Sequence, residues 1–138
     1  MPAPAHERDL GRMLAGLEPR LRPGTYVFAR AEALPRGLRP AVTVAEDEGL
    51  TVVCTRAEAE AAGLEYGFAA AWITLLVHSA LDAVGLTSAV SAALAEAGLA
   101  CNVVAGYHHD HLFVAAGQGE RAVEVLQTLS AAAAGTAD

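Results

Sequence analysis

The stretch from Trp72 to Val114 constrains the fold more than any other part of the chain. It begins with an apolar run, Trp72-Ile73-Thr74-Leu75-Leu76-Val77, broken only by Thr74. Runs of this length that are apolar on both faces belong to central, covered strands. A polar turn follows, His78-Ser79-Ala80-Leu81-Asp82, and then a helix from about Val84 to Ala97, with Leu86, Val90, Leu94 and Ala97 along one stripe. Gly98 ends the helix. A second apolar run, Cys101-Asn102-Val103-Val104, leads through a tight turn, Gly106-Tyr107-His108-His109-Asp110, into a third, Leu112-Phe113-Val114. The order is β-α-β-β, and a last helix near Glu120 to Leu129 extends it. The polar residues of this half gather at the strand–helix turn and at the hairpin tip, which makes those the first places to look for binding.

The first half repeats the plan imperfectly. His6 to Leu17 carries Leu10, Met13, Leu14 and Leu17 at helical spacing, and Pro19 and Pro23-Gly24 end it and turn the chain. Thr25 to Ala31 is strand-like. Leu34 to Pro40, with two prolines, is a loop. Ala41 to Ala45 and Leu50 to Cys54 form a hairpin around Glu46-Asp47-Glu48-Gly49, where glycine supplies a positive φ. Thr55 and Glu58 have the spacing of a capping box for a short helix ending before Gly63. The tail from Ala131 to Asp138 is low in complexity and reads as loose. Two imperfect β-α-β-β-α units predict an α+β protein of two ferredoxin-like subdomains with antiparallel sheets and helices on one face. The expected division is 1–68, including the N-terminal helix, and 69–132, with 133–138 as tail.

Charge and composition exclude several function classes. Residues 1–56 hold eight arginines against seven acids, a balance of +1, and residues 57–138 hold one arginine against nine acids, a balance of −8. An acidic C-terminal half disfavours nucleic acid and anionic membranes as partners. The N-terminus is too polar for a signal peptide, and no apolar run approaches the roughly 18 residues that span a bilayer. Cys54 and Cys101 lack metal or redox spacing and read as buried hydrophobes in a reducing, cytoplasmic setting. No phosphate-binding glycine loop occurs, and Ser79 beside His78 has poor geometry for a nucleophile and its base. The sequence therefore predicts a protein that is not an enzyme and carries no cofactor.

Two long runs resemble a family of small bacterial proteins with tandem ACT-like domains, related in arrangement to the paired ACT units of aspartate kinases. They are Ile73 to Thr87 and Cys101 to Val114; Leu17-Glu18-Pro19, Gly24 to Phe28 and Glu48 to Val53 are similar to it as well. Together these cover most of residues 10–130. ACT domains are regulatory modules that bind amino acids or other small ligands at interfaces and often dimerise. The resemblance implies a free-standing sensor binding a small ligand, with an amino acid as the expected class and a homodimer as the expected state.

In an ACT unit the turn after the first strand faces the ligand, which places His78 to Leu86 at the candidate site. Amides at the start of the helix near Val84, Gly85 and Leu86 are unpaired within it and suit a carboxylate. Gly85 admits close approach, or else only permits tight packing. Asp82 or Asp110 could take an ammonium group, although Asp82 could equally cap the helix. Asn102 can donate and accept, or can pair with an edge backbone. His78, Ser79, Val103, Gly106 and Tyr107 complete the candidate set. The run His108-His109-Asp110-His111 suggests metal, but an extended chain points His109 and His111 one way and His108 and Asp110 the other. His109 and His111 are therefore weak metal candidates, and no metal is expected. The alternative to a sensor is a ligand-free protein–protein interaction module, with a metal-dependent enzyme a distant third.

Overall fold

A computed structural model describes residues 1, 7–77 and 79–135. The elements in chain order are α1 (Leu10–Ala15), β1 (Glu18–Leu21), β2 (Tyr26–Ala31), β3 (Val42–Glu46), β4 (Gly49–Thr55), α2 (Arg56–Ala61), β5 (Glu65–Leu76), α3 (Leu86–Glu96), β6 (Cys101–Ala105), β7 (Asp110–Ala115) and α4 (Gly119–Gly135). All strand pairs are antiparallel, and the strands form one sheet in the order β3-β4-β2-β5-β7-β6, with β1 also pairing with β5.

The two halves share their sheet through β5. This strand is longer than the apolar run from Trp72 predicts, because it begins at Glu65. Its first half pairs with β2; its second half lies between β1 and β7. Residues that read as a lead-in are thus part of the strand that joins the two units. A register shift opposite Tyr26 and Phe28 bends β5 midway, where Phe68 has a φ of 50°.

Helices cover one face only. Met13, Leu14 and Leu17 near α1, Leu86, Val90 and Leu94 of α3, and Ala122 and Leu126 of α4 pack against Ile73, Leu75, Leu112 and Val114. On the same side, Ala59 of α2 packs against Val27, Ala29, Val52 and Cys54. The N-terminal helix therefore joins the core of the second half, although the expected division assigns it to the first. A third apolar cluster has no helical member: Val53, Ala70 and Phe113, with Tyr26, Phe28, Ala41, Val42, Trp72 and Val104.

Local chemistry explains most element ends. Thr55 Oγ1 accepts from the Glu58 N–H at 3.2 Å and the Thr55 N–H donates back to Glu58 at 3.1 Å, closing the predicted capping box. Pro19, read as a helix terminator, instead lies inside β1, a strand with a partner on one side only, where a missing N–H is tolerated. The predicted helix from Val84 starts at Leu86. The tail expected to be loose from Ala131 is helical to Gly135, and Ala133 packs against the core; residues 136–138 lie outside the described residues.

Candidate functional site

The chain leaves β5 at Leu76 and reaches α3 through a loop whose last residue, Gly85, has a φ of 103°. A side chain there is strained, and a Cβ would come to 3.0 Å from Leu10 Cδ2. The loop is strapped by the segment that precedes α1. The Ala80 N–H donates to the Glu7 carbonyl at 3.1 Å, Glu7 and Ser79 form a bridge, and Arg8 pairs with Asp82. Asp82 consequently does not cap α3. The N-cap is Gly85, and among the described residues no side chain caps the first-turn amides. Those amides keep the positive end of the helix dipole available to an anion.

The hairpin tip faces this helix end. The Gly106 N–H donates to the His109 carbonyl at 2.9 Å, and a Cβ on Gly106 would sit 2.8 Å from that oxygen, so the tight tip needs glycine. Between tip and helix lies a partly open cleft of about 70 Å³, lined by Ser79, Ala80, Leu81, Ala83, Leu86, Thr87, Ala105, Gly106, His108, His109 and Asp110.

Four of the sequence candidates meet in this cleft: Ser79, Leu86, Gly106 and Asp110. Thr87 and His108 join them without having been singled out as ligand contacts. The signal for Thr87 was its place in the first turn of α3, beside an uncapped helix start. The other candidates do not line the cleft. Asp82 is turned to Arg8, Gly85 to Leu10, and Val84 projects from the loop. Asn102 stands opposite Phe113 on the helix-free face, while Val103 packs toward the helices. Tyr107 is exposed and rests its ring against His108, with centroids 4.9 Å apart. His78 lies outside the described residues.

Asp110 is the acid of the cleft. Burial pushes its carboxyl above the usual carboxylate range, and His109 pulls in the opposite direction. Among the described residues no group of three His, Cys, Asp or Glu side chains could hold an ion. His111 belongs to a different network on the helix-free face. There the Trp72 indole N–H donates to His111 Nδ1 at 3.1 Å, Thr74 Oγ1 lies 3.2 Å from the same nitrogen, and Arg22 Nε donates to Thr74 Oγ1 at 3.0 Å.

An antiparallel sheet with helices on one face, built from two halves and carrying a cleft where a helix start meets a hairpin, defines a tandem ACT-domain protein. Family models for the ACT domain match residues 5–71 and residues 68–128, and the chain belongs to that family. A protein of unknown function from Vibrio cholerae is 40% identical, over 88% of this chain and 95% of that one, with a TM-score of 0.79. An Agrobacterium tumefaciens protein shares the fold at 21% identity, 83% and 89% coverage and a TM-score of 0.68. The regulatory subunit of aspartate kinase from Thermus flavus does so at 12% identity, 83% and 96% coverage and a TM-score of 0.59. A search of curated proteins gave no match. Among the described residues no helix is long and apolar enough to cross a membrane.

Proposed function

We propose that this chain is a free-standing cytoplasmic sensor that binds a small amino acid in the cleft between α3 and the β6–β7 tip and acts as a homodimer. The observation that carries the reading is the pairing of opposite charges across that cleft. The uncapped first-turn amides of α3 suit a carboxylate, and half-buried Asp110 suits an ammonium group. Ser79 and Thr87 add hydroxyls at the rim. Regulation rather than catalysis is the role in keeping with the ACT family to which the chain belongs. The two unpaired thiols, Cys54 and Cys101, suit a reducing compartment.

Thermal unfolding against the twenty amino acids tests the reading. A ligand at about 100 times its dissociation constant adds roughly 2.7 kcal/mol to stability. A selective rise in Tm that disappears in Asp110→Asn supports the cleft. A flat response across the panel overturns it and leaves an interaction module, for which the helix-free face is the observation to follow.

A further inference from the structure

We infer that the sheet carries a second binding site, a hollow over Gly67 between β2 and β5 on the helix-free face, which takes a zwitterion with a large apolar side chain. It lies apart from the cleft at α3 and stands independently of the reading above.

The hollow begins with a missing side chain. Gly67 stands opposite Phe28 in the β2–β5 ladder. Its φ is outside the left-handed region, so the backbone does not call for glycine, and a Cβ there would meet nothing within 4 Å. The bulge that follows puts its positive φ, 50°, on Phe68 instead. The chain thus keeps its glycine where there is space and bears the strain one residue on, on a bulky ring. A glycine inside a strand gives up side-chain packing, and it marks a place where a ligand can come close to the backbone.

The space over Gly67 amounts to about 380 Å³, and Phe28, Arg30, Thr51 and Glu65 line it. The cleft at α3 offers about 70 Å³. Pockets for small molecules run from roughly 300 to 1,000 Å³, so the hollow has room for a side chain that the cleft has not. Phe28 supplies an apolar wall. Phe68 stands against it, with ring centroids 5.8 Å apart, and is 40% exposed.

The charges define the ligand. Arg30 faces Thr51 on one side and Glu65 on the other. Directly opposed residues have their Cβ atoms only about 5 Å apart. Arg30 and Glu65 nevertheless make no ion pair, and among the described residues neither has another ion-pair partner. A guanidinium and a carboxylate held side by side but apart match a carboxylate and an ammonium group on one small molecule. Thr51 donates to Glu46, which adds a second acid near the rim. With two acids to one arginine, a bare carboxylate is repelled, and the phenylalanine faces also attract an ammonium group. The ligand class is therefore an α-amino acid with a large apolar side chain, its carboxylate on Arg30, its ammonium on Glu65 and its side chain against Phe28.

Isothermal titration calorimetry with L-phenylalanine tests the site. The expected result is binding that is at least tenfold weaker in Gly67→Val, which fills the hollow, and in Arg30→Gln, and that is unchanged in Asp110→Asn, which alters only the cleft. Phenylacetate, without the ammonium group, and phenethylamine, without the carboxylate, should each bind at least tenfold more weakly than L-phenylalanine. Valine suits a strand and meets open space at its Cβ, so the Tm of Gly67→Val should hold or rise. If that variant fails to fold, Arg30→Gln, at an exposed side chain, carries the test. No binding to the wild-type chain overturns the site. So does binding that survives in Arg30→Gln or is lost in Asp110→Asn, because the ligand then lies elsewhere.

Discussion

Trp72 donates its indole N–H to His111 Nδ1 at 3.1 Å, across a β5–β7 pair in which Thr74 stands opposite His111. An Nδ1 that accepts a hydrogen bond carries no proton, so the ring is neutral with its proton on Nε2. Burial, with Arg22 and His109 adding to it, holds the imidazole below its ordinary value of 6.5.

That depression fixes the sign of a pH dependence. Below pH 6.5 the unfolded chain takes up a proton that the folded His111 refuses, so stability falls as pH falls through that value and stops falling once the folded ring protonates. Tm measured from pH 7 to pH 5 should therefore decline. In His111→Gln, whose amide oxygen can still accept from Trp72 but does not titrate, the decline should be shallower. Parallel curves for the two proteins would remove His111 from the account.

Thr74 is the buried hinge of the same network. It is fully buried, accepts from Arg22 Nε at 3.0 Å and lies 3.2 Å from His111 Nδ1. Thr74→Val keeps the shape and deletes both partnerships, leaving the Arg22 N–H without its acceptor. The expected loss is about 1–3 kcal/mol in chemical denaturation, with the slope m unchanged. A loss no larger than that of an exposed threonine variant would show that water replaces the hydroxyl freely.

Gly85 is required twice over, by its φ of 103° and by the Leu10 side chain 3.0 Å from where a Cβ would sit. Gly85→Ala should cost about 1–2 kcal/mol from the backbone alone. Adding Leu10→Ala opens space but leaves φ untouched, so the double variant should recover only the crowding share and keep the backbone cost. Full recovery would mean that crowding, not backbone conformation, sets the requirement.

What the sequence revealed and what it hid divide by distance along the chain. The Thr55–Glu58 capping box spans three residues, and the β3–β4 hairpin closes on Gly49, so local chemistry was enough to place both. The apolar runs of β5, β6 and β7 were legible because strands covered by helices need them. β1 was not, because Pro19 looks like a breaker until β5, far along the chain, is seen to pair with it on one side only. Asp82 looked like a cap because Arg8, its partner, lies 74 positions away. Nothing in a single sequence shows that Phe68 sits in a bulge or that the three phenylalanines and the tryptophan share one face. Of the site, the hairpin tip and helix start were readable as polar clusters between apolar runs, whereas the choice between Asp82 and Asp110 depended on which one the N-terminal segment had already taken.

That choice yields the last prediction. Asp82 is exposed and engaged by Arg8, whose guanidinium lowers its carboxyl by hydrogen bonding and charge. Asp110 is half-buried and raised by desolvation, so its ionised form is held at a cost to stability above its ordinary value of 3.8. Asp110→Asn removes that cost: at pH 7 Tm should rise by about 1–3 °C, and the gap should close on acidification below pH 4, where the wild-type carboxyl is protonated in both states. The same variant should lose the Tm response to ligand, because a neutral amide cannot balance an ammonium group. Asp82→Ala should do the reverse. The ligand response and Tm persist, while exchange of the Ala80 amide quickens as the strap from Glu7 and Arg8 loosens. If the ligand response vanishes in Asp82→Ala and survives in Asp110→Asn, the ammonium site lies on the loop and not in the cleft.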